Sequence, residues 1–178
     1  MLKFKPKISE IYYLILFLFI MLSVGSFEGC FSYSFTGASV PAHLKSIAIP
    51  IVEDRSGSGQ PGLSEMLTNS LTQKFIDDNT LQVTEKNKAN AILNCSIISL
   101  TDAPTIITAG EQVAKRRITV TVQATYRDLV KRKTIFDKSV SEYGDYPPNG
   151  GFQDRNDAIQ SAVDKISDDI LLDVVSGW

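Results

Sequence analysis

A two-layer α+β sandwich is the fold class this sequence predicts, with a mostly antiparallel or mixed sheet of roughly four to five strands and two amphipathic helices on one face. Three observations lead there. Apolar residues recur at spacings of three and four in two separated segments, one opened by Pro61 and one running from near Asp154. Short runs of apolar and β-branched residues, bounded by Gly, Asn and Asp, precede and separate those segments. One run alternates strictly, with Ile118, Val120, Val122, Ala124 and Tyr126 against Thr119, Thr121, Gln123 and Thr125, as an antiparallel strand with one wet face requires.

Taken in order, Ser46 to Val52 reads as a short strand, apolar on both sides, in which Pro50 favours a sheet edge or a bulge because proline has no N–H for a ladder. Glu53 to Gln60 is polar, contains Gly57 and Gly59, and reads as a loop. Pro61 then opens a helix that stacks Leu63, Met66, Leu67, Leu71 and Phe75 on one face and ends at Asp77, Asp78 and Asn79. Strands are expected at Leu81 to Thr84 and Ala91 to Thr101, and Thr105 to Gln112 as a loop or a frayed strand end. Asp128 to Lys133 turns the alternating strand into another, Thr134 to Tyr143. Gly144 to Gly151, GDYPPNGG, is expected to be irregular. The closing helix carries a stripe of Ala158, Ile159, Ala162, Val163, Ile166, Ile170, Leu171 and Val174.

The N-terminus reads as an export signal. Lys3, Lys5 and Lys7 form a basic segment ahead of the apolar run Ile11 to Val24, which at about 14 residues falls short of the roughly 20 that span a bilayer. Gly29 then stands directly before Cys30. The arrangement resembles the lipobox of bacterial lipoproteins, although Phe27 and Glu28 depart from its usual pattern. The resemblance implies cleavage before a lipidated Cys30, acylation of the new amine, for example by palmitate, and stable anchoring. The expected divisions are a signal peptide over 1–29, a lipidated tether over 30–44 and a single domain over 45–178.

Removing residues 1–29 takes away three lysines and two acids, which leaves 15 Lys+Arg against 18 Asp+Glu on 149 residues. That length supports one hydrophobic core, and the slight acidity argues against nucleic acid as a partner. With Cys30 acylated, Cys95 has no disulfide partner and is expected as a buried thiol. The one histidine, His43, sits beside Pro41 and Ala42 in the tether and reads as a surface or packing residue. No nucleotide-, metal- or redox-binding motif occurs, so neither a cofactor nor catalysis is expected. Two basic clusters offer binding chemistry: Lys115, Arg116 and Arg117 before the alternating strand, and Lys131, Arg132 and Lys133 in the turn after it. Hairpin geometry sets them at opposite ends of that strand. Either can pair with phosphates of an anionic lipid; as solubilising charges they would equally mark a turn or guard a sheet edge.

The segment from Cys30 through YSFTGAS, with Pro41, Ala42, His43 and Leu44, and the strand IAIPIVEDRSG together resemble the LptE-like lipopolysaccharide-assembly lipoproteins. The helix GLSEMLTNSLTQKFIDDNTLQV, the strand RRITVTVQATYRDL and the helix from Asp157 to Trp178 extend the likeness over the mature chain. The resemblance implies a non-enzymatic outer-membrane lipoprotein on the periplasmic side. It would plug an LptD-type β-barrel and assist insertion of lipopolysaccharide into the outer leaflet. A lipoprotein that docks onto and regulates a cell-wall synthase or secretion pore shares the opening strand, loop and helix and is the alternative.

Overall fold

A computed structural model describes residues 40–106 and 113–176. The expected signal segment, Cys30, most of the expected tether, the tip of the 105–112 segment and the final two residues lie outside the described residues. In chain order the elements are β1 (Ser46–Ala48), β2 (Glu53–Asp54), α1 (Leu63–Asp78), β3 (Gln82–Val83), β4 (Ala91–Ile106), β5 (Val113–Asp128), β6 (Lys133–Tyr146) and α2 (Phe152–Ser176). The strands form one mixed sheet in the order β3-β1-β4-β5-β6, with β2 also paired to β4. Both helices cover one face, as the sequence predicts.

The parallel part is short. β1 pairs with β4 through Ala48 and Ile92, and β2 resumes the pairing at Glu53 and Ser96. Five residues therefore pass on one strand while four pass on the other, which is a bulge centred on Pro50. Backbone freed there is taken up by α1: the Val52 N–H donates to Thr68 Oγ1 at 3.0 Å, and the Ser64 hydroxyl donates to the Val52 carbonyl. Glu53 and Asp54, expected in a loop, thus form a strand that continues β1 beyond the bulge. Nothing in two consecutive acids signals a strand; their register is set by β4.

The antiparallel part is long. β4 and β5 pair from Ala91↔Asp128 to Ile106↔Val113, and β5 and β6 from Asp128↔Lys133 to Arg116↔Tyr146. Both expected strands are extended at their ends. Pro104 fits because β4 has only β5 beside it there, so the missing N–H can face the open edge. β6 runs through Gly144, Asp145 and Tyr146, so the segment expected to be irregular begins only at Pro147. The reason is packing: at Gly144 the strand lies against the α2 backbone, with space for a hydrogen but not for a side chain.

α1 buries Leu63, Leu67, Leu71 and Phe75, one residue per turn, and ends when Asn79 adopts a left-handed conformation and donates its N–H to the Phe75 carbonyl at 3.2 Å. α2 buries the predicted stripe, with Leu171 half-buried at its margin and Ser167 added. The Ser167 hydroxyl is satisfied by donating to the Val163 carbonyl at 2.9 Å. Against these helices the sheet sets Leu93, Cys95 and Ile97 of β4 and Ile118, Val120, Val122, Ala124 and Tyr126 of β5. Burial pushes the Cys95 thiol pKa up to about 12, which keeps it protonated and unreactive.

Candidate functional site

The face of the sheet turned away from the helices is polar along its length. Register places Thr121 opposite Ser141, Gln123 opposite Ser139 and Thr125 opposite Asp137. These pairs are joined: Thr121 Oγ1 and Ser141 Oγ are 3.1 Å apart, Ser139 donates to Gln123 Oε1 at 2.6 Å, and Asp137 accepts from both Gln123 and Thr125. The ladder fixes rotamers before any partner arrives, so docking on this face would cost little side-chain entropy. Beside it a groove of ≈ 620 Å3 is lined by Asn94, Ser96, Gln123, Thr125 and Asp137 together with Ile51 and Ile98. Ile51 is 77 % exposed because the bulge at Pro50 turns it outward.

The two predicted basic clusters fall at opposite ends of β5, and the structure treats them differently. Arg116 points to the helix side, where its Nε and Nη2 donate to Asp102 Oδ1 at 3.0 and 2.8 Å. Tyr146 donates its hydroxyl to Asp102 Oδ2 at 2.7 Å, and Arg155 of α2 adds a contact at 3.3 Å. Burial alone would raise the Asp102 pKa, but the hydrogen bonds from Tyr146 and Arg116, the Arg116 charge and Arg155 outweigh it and hold the carboxyl below its ordinary value. Arg117 points to the open face. It binds Asp145 through two nitrogens at 2.7 and 3.0 Å and stacks 3.6 Å above the centroid of the Tyr143 ring. That bond and charge keep the Asp145 pKa low. Both arginines are thus committed within the fold, while Lys115 is exposed.

At the other end, Lys131, Arg132 and Lys133 are exposed in the β5–β6 turn and form no ion pair among the described residues. Arg132 has φ 54°, the left-handed conformation that closes the turn. Asp128 holds that turn, accepting the Lys131 N–H at 2.8 Å.

His43 is where sequence reasoning missed a role. Its Nε2 lies 2.7 Å from Oδ2 of Asp128, a carboxyl only 3 % exposed, so the half-buried imidazole is a structural partner rather than a bystander. Burial would raise the Asp128 pKa; hydrogen bonds from His43 and the Lys131 and Val130 amides reverse the effect and hold it low. The pair fastens the segment leading into β1 to the hairpin turn, 85 positions away, a separation at which a single sequence carries no signal.

No helix among the described residues is long and apolar enough to cross a membrane. The fold is shared with solved structures at low identity. A hypothetical protein from Chlamydia trachomatis aligns with TM-score 0.57 and 10 % identity, over 74 % of this chain and 95 % of that one. A protein from Xanthomonas campestris aligns with TM-score 0.57 and 12 % identity, over 78 % and 91 %. A minor lipoprotein from Acinetobacter baumannii gives TM-score 0.51 and 13 % identity, over 74 % and 92 %. At such identities the likeness is one of fold. No curated protein matches the chain in sequence. The family of lipopolysaccharide-assembly proteins, LptE, matches residues 44–174, from the strand entry through all but the last turn of α2, and the chain belongs to that family.

Proposed function

We propose that this chain is a lipoprotein anchored through Cys30 in the outer membrane on its periplasmic side, and that it plugs an LptD-type β-barrel and assists lipopolysaccharide insertion without catalysing a reaction. The observation that supports this reading is the open sheet face. Its Thr, Ser and Gln side chains are bonded to one another, no described element covers them, and a barrel lumen is itself polar. A partner offering hydroxyls and amides would meet complementary groups there, and the one carboxylate of the ladder, Asp137, already accepts hydrogen bonds from Gln123 and Thr125. Of the six cations expected to contact lipopolysaccharide, Arg116 and Arg117 are already paired with Asp102 and Asp145. The phosphate-binding reading therefore rests on Lys115, Lys131, Arg132 and Lys133.

Two measurements test the proposal. Metabolic labelling with a fatty-acid analogue is expected to mark the chain and to be lost in Cys30→Ala; label retained by that variant refutes the anchor. Affinity purification from gently solubilised envelopes is expected to recover a large β-barrel in near-stoichiometric yield. The double substitution Thr121→Trp/Gln123→Trp, which places two indoles on the open face and leaves the core untouched, should abolish that recovery with little change in the urea midpoint. Undiminished recovery by the double variant would move the contact to another face. A synthase or secretion pore in place of the barrel would refute the plug.

A further inference from the structure

The end of the sheet from which the chain leads back toward Cys30 is also the end at which its unpaired cations gather. Lys45 stands directly before β1, and the loop carrying Lys86 and Lys88 is fastened beside it: the Ser46 hydroxyl reaches the Lys88 carbonyl, and Asn90 accepts the Lys45 N–H at 3.1 Å. The Leu129 N–H donates to the Asn90 carbonyl at 2.9 Å, which brings the turn of Lys131, Arg132 and Lys133 alongside. All six side chains are exposed, and among the described residues only Lys88 has an ion-pair partner, Glu85 at 3.4 Å. The nearby Asp128 is buried and occupied by His43. Asp77 and Asp78 close α1 at this end, so the basic surface belongs to the sheet edge and its connecting loops rather than to the helix layer. Of the other arginines in the sheet, Arg55 is matched with Glu53, Arg116 with Asp102 and Arg117 with Asp145, while Arg127, exposed on β5 close to this end, forms no ion pair among the described residues.

The route of the chain argues for what these cations meet. Val40 to Leu44 is fastened at this end by the His43–Asp128 bond. Cys30 stands ten residues before Val40, a contour of at most about 35 Å. A lipid on Cys30 keeps this end close to a bilayer, while the opposite end of the long hairpin can lie farther away. We propose that Lys45, Lys86, Lys88, Lys131, Arg132 and Lys133 form a platform that rests on the headgroups of anionic phospholipids, so that the lipid anchor and the electrostatic contact together set the orientation of the domain. This inference rests on the Cys30 anchor. It supplies the second of the two signals that stable, oriented membrane attachment uses.

The test uses the full mature chain with Cys30→Ala, so that no acyl chain contributes, sedimented with vesicles of phosphatidylcholine alone or mixed with phosphatidylglycerol at about three to one. Binding is expected on the mixed vesicles only, weakening as salt rises. The variant Lys131→Gln/Arg132→Asn/Lys133→Gln is expected to lower the partition coefficient on the order of 100-fold, while Lys74→Gln, on the helix layer and paired with Asp168, leaves it unchanged. Asparagine is chosen at 132 because it tolerates the left-handed backbone there, and an unchanged urea midpoint would establish that the variant is folded. Equal binding to neutral vesicles, or no loss in the triple variant, overturns the platform. So does binding to lipopolysaccharide aggregates with none to the mixed vesicles, which would reassign the cations to that lipid. Fatty-acid labelling of the unsubstituted chain is read separately. Loss of label removes the anchor, whereas label without vesicle binding removes only the platform.

Discussion

Replacing Gly144 by alanine is expected to destabilise the domain by about 3 kcal/mol or more, out of proportion to the one methyl group added. A Cβ on Gly144 would lie 2.0 Å from the carbonyl oxygen of Ala158, 2.7 Å from its carbon and 2.8 Å from its Cα. All three atoms are helix backbone, so no rotamer change relieves the overlap. Either α2 lifts from β6 or the strand bows away from β5. Ala158, Ile159 and Ala162 are buried by the same approach, and any lift opens gaps along that seam. The conformation itself is not the difficulty, since Gly144 is not among the residues of positive φ; the glycine is needed for closeness, not for turning. Urea denaturation followed by far-UV circular dichroism checks the expectation. A midpoint within experimental error of the unsubstituted protein would mean that the helix and strand can separate freely. The control Gly151→Ala, whose Cβ would meet only one side-chain oxygen at 3.9 Å, should cost far less.

The same position explains part of what the sequence concealed. Three glycines and two prolines in the segment Gly144 to Gly151 ordinarily mark a loop, and the strand through Tyr146 is invisible without the helix that packs on it. By contrast, both helices were legible, because Leu63, Leu67, Leu71 and Phe75, and the stripe from Ala158 to Val174, are set by a spacing that needs no knowledge of the partner surface. The alternation of β5 was legible for the same reason, and with it the polar face, since Thr119, Thr121, Gln123 and Thr125 must point away from whatever buries Val120 and Val122. Hairpin logic also separated the two basic clusters correctly. What could not be read was which cations were already paired. Asp102 and Asp145 face Arg116 and Arg117 only through the registers of β4 and β6 against β5, and a shift of one residue would have turned each arginine to the opposite face of the sheet.

Asp102→Ala is expected to cost about 2 kcal/mol at neutral pH and much less in acid. The carboxylate receives Arg116, the Tyr146 hydroxyl and Arg155, and so joins β4, β5, β6 and α2 at the margin of the core. Its side chain is 21 % exposed, so solvent moderates the cost below that of a fully buried pair. Removal leaves two guanidinium groups and a hydroxyl facing one another without the carboxylate that accepted from all three. Arg155 keeps Gln60, but Arg116 keeps only Tyr146. The sign of the pH dependence follows from the direction of the Asp102 shift. A carboxyl held below its unfolded pKa of about 3.9 binds fewer protons folded than unfolded. Its stabilisation is therefore complete above that value and is lost as pH falls through the folded pKa. Asp128 and Asp145 behave alike and add to the acid sensitivity of the whole domain, but they are common to both proteins and cancel in the difference. Urea midpoints of the two proteins at pH 7 and at about pH 2.5 separate the contributions. The gap should narrow markedly in acid. A gap of equal size at both pH values would mean that Asp102 acts through packing and not through its charge, and the network would then be a bystander to the closure of α2 on the sheet.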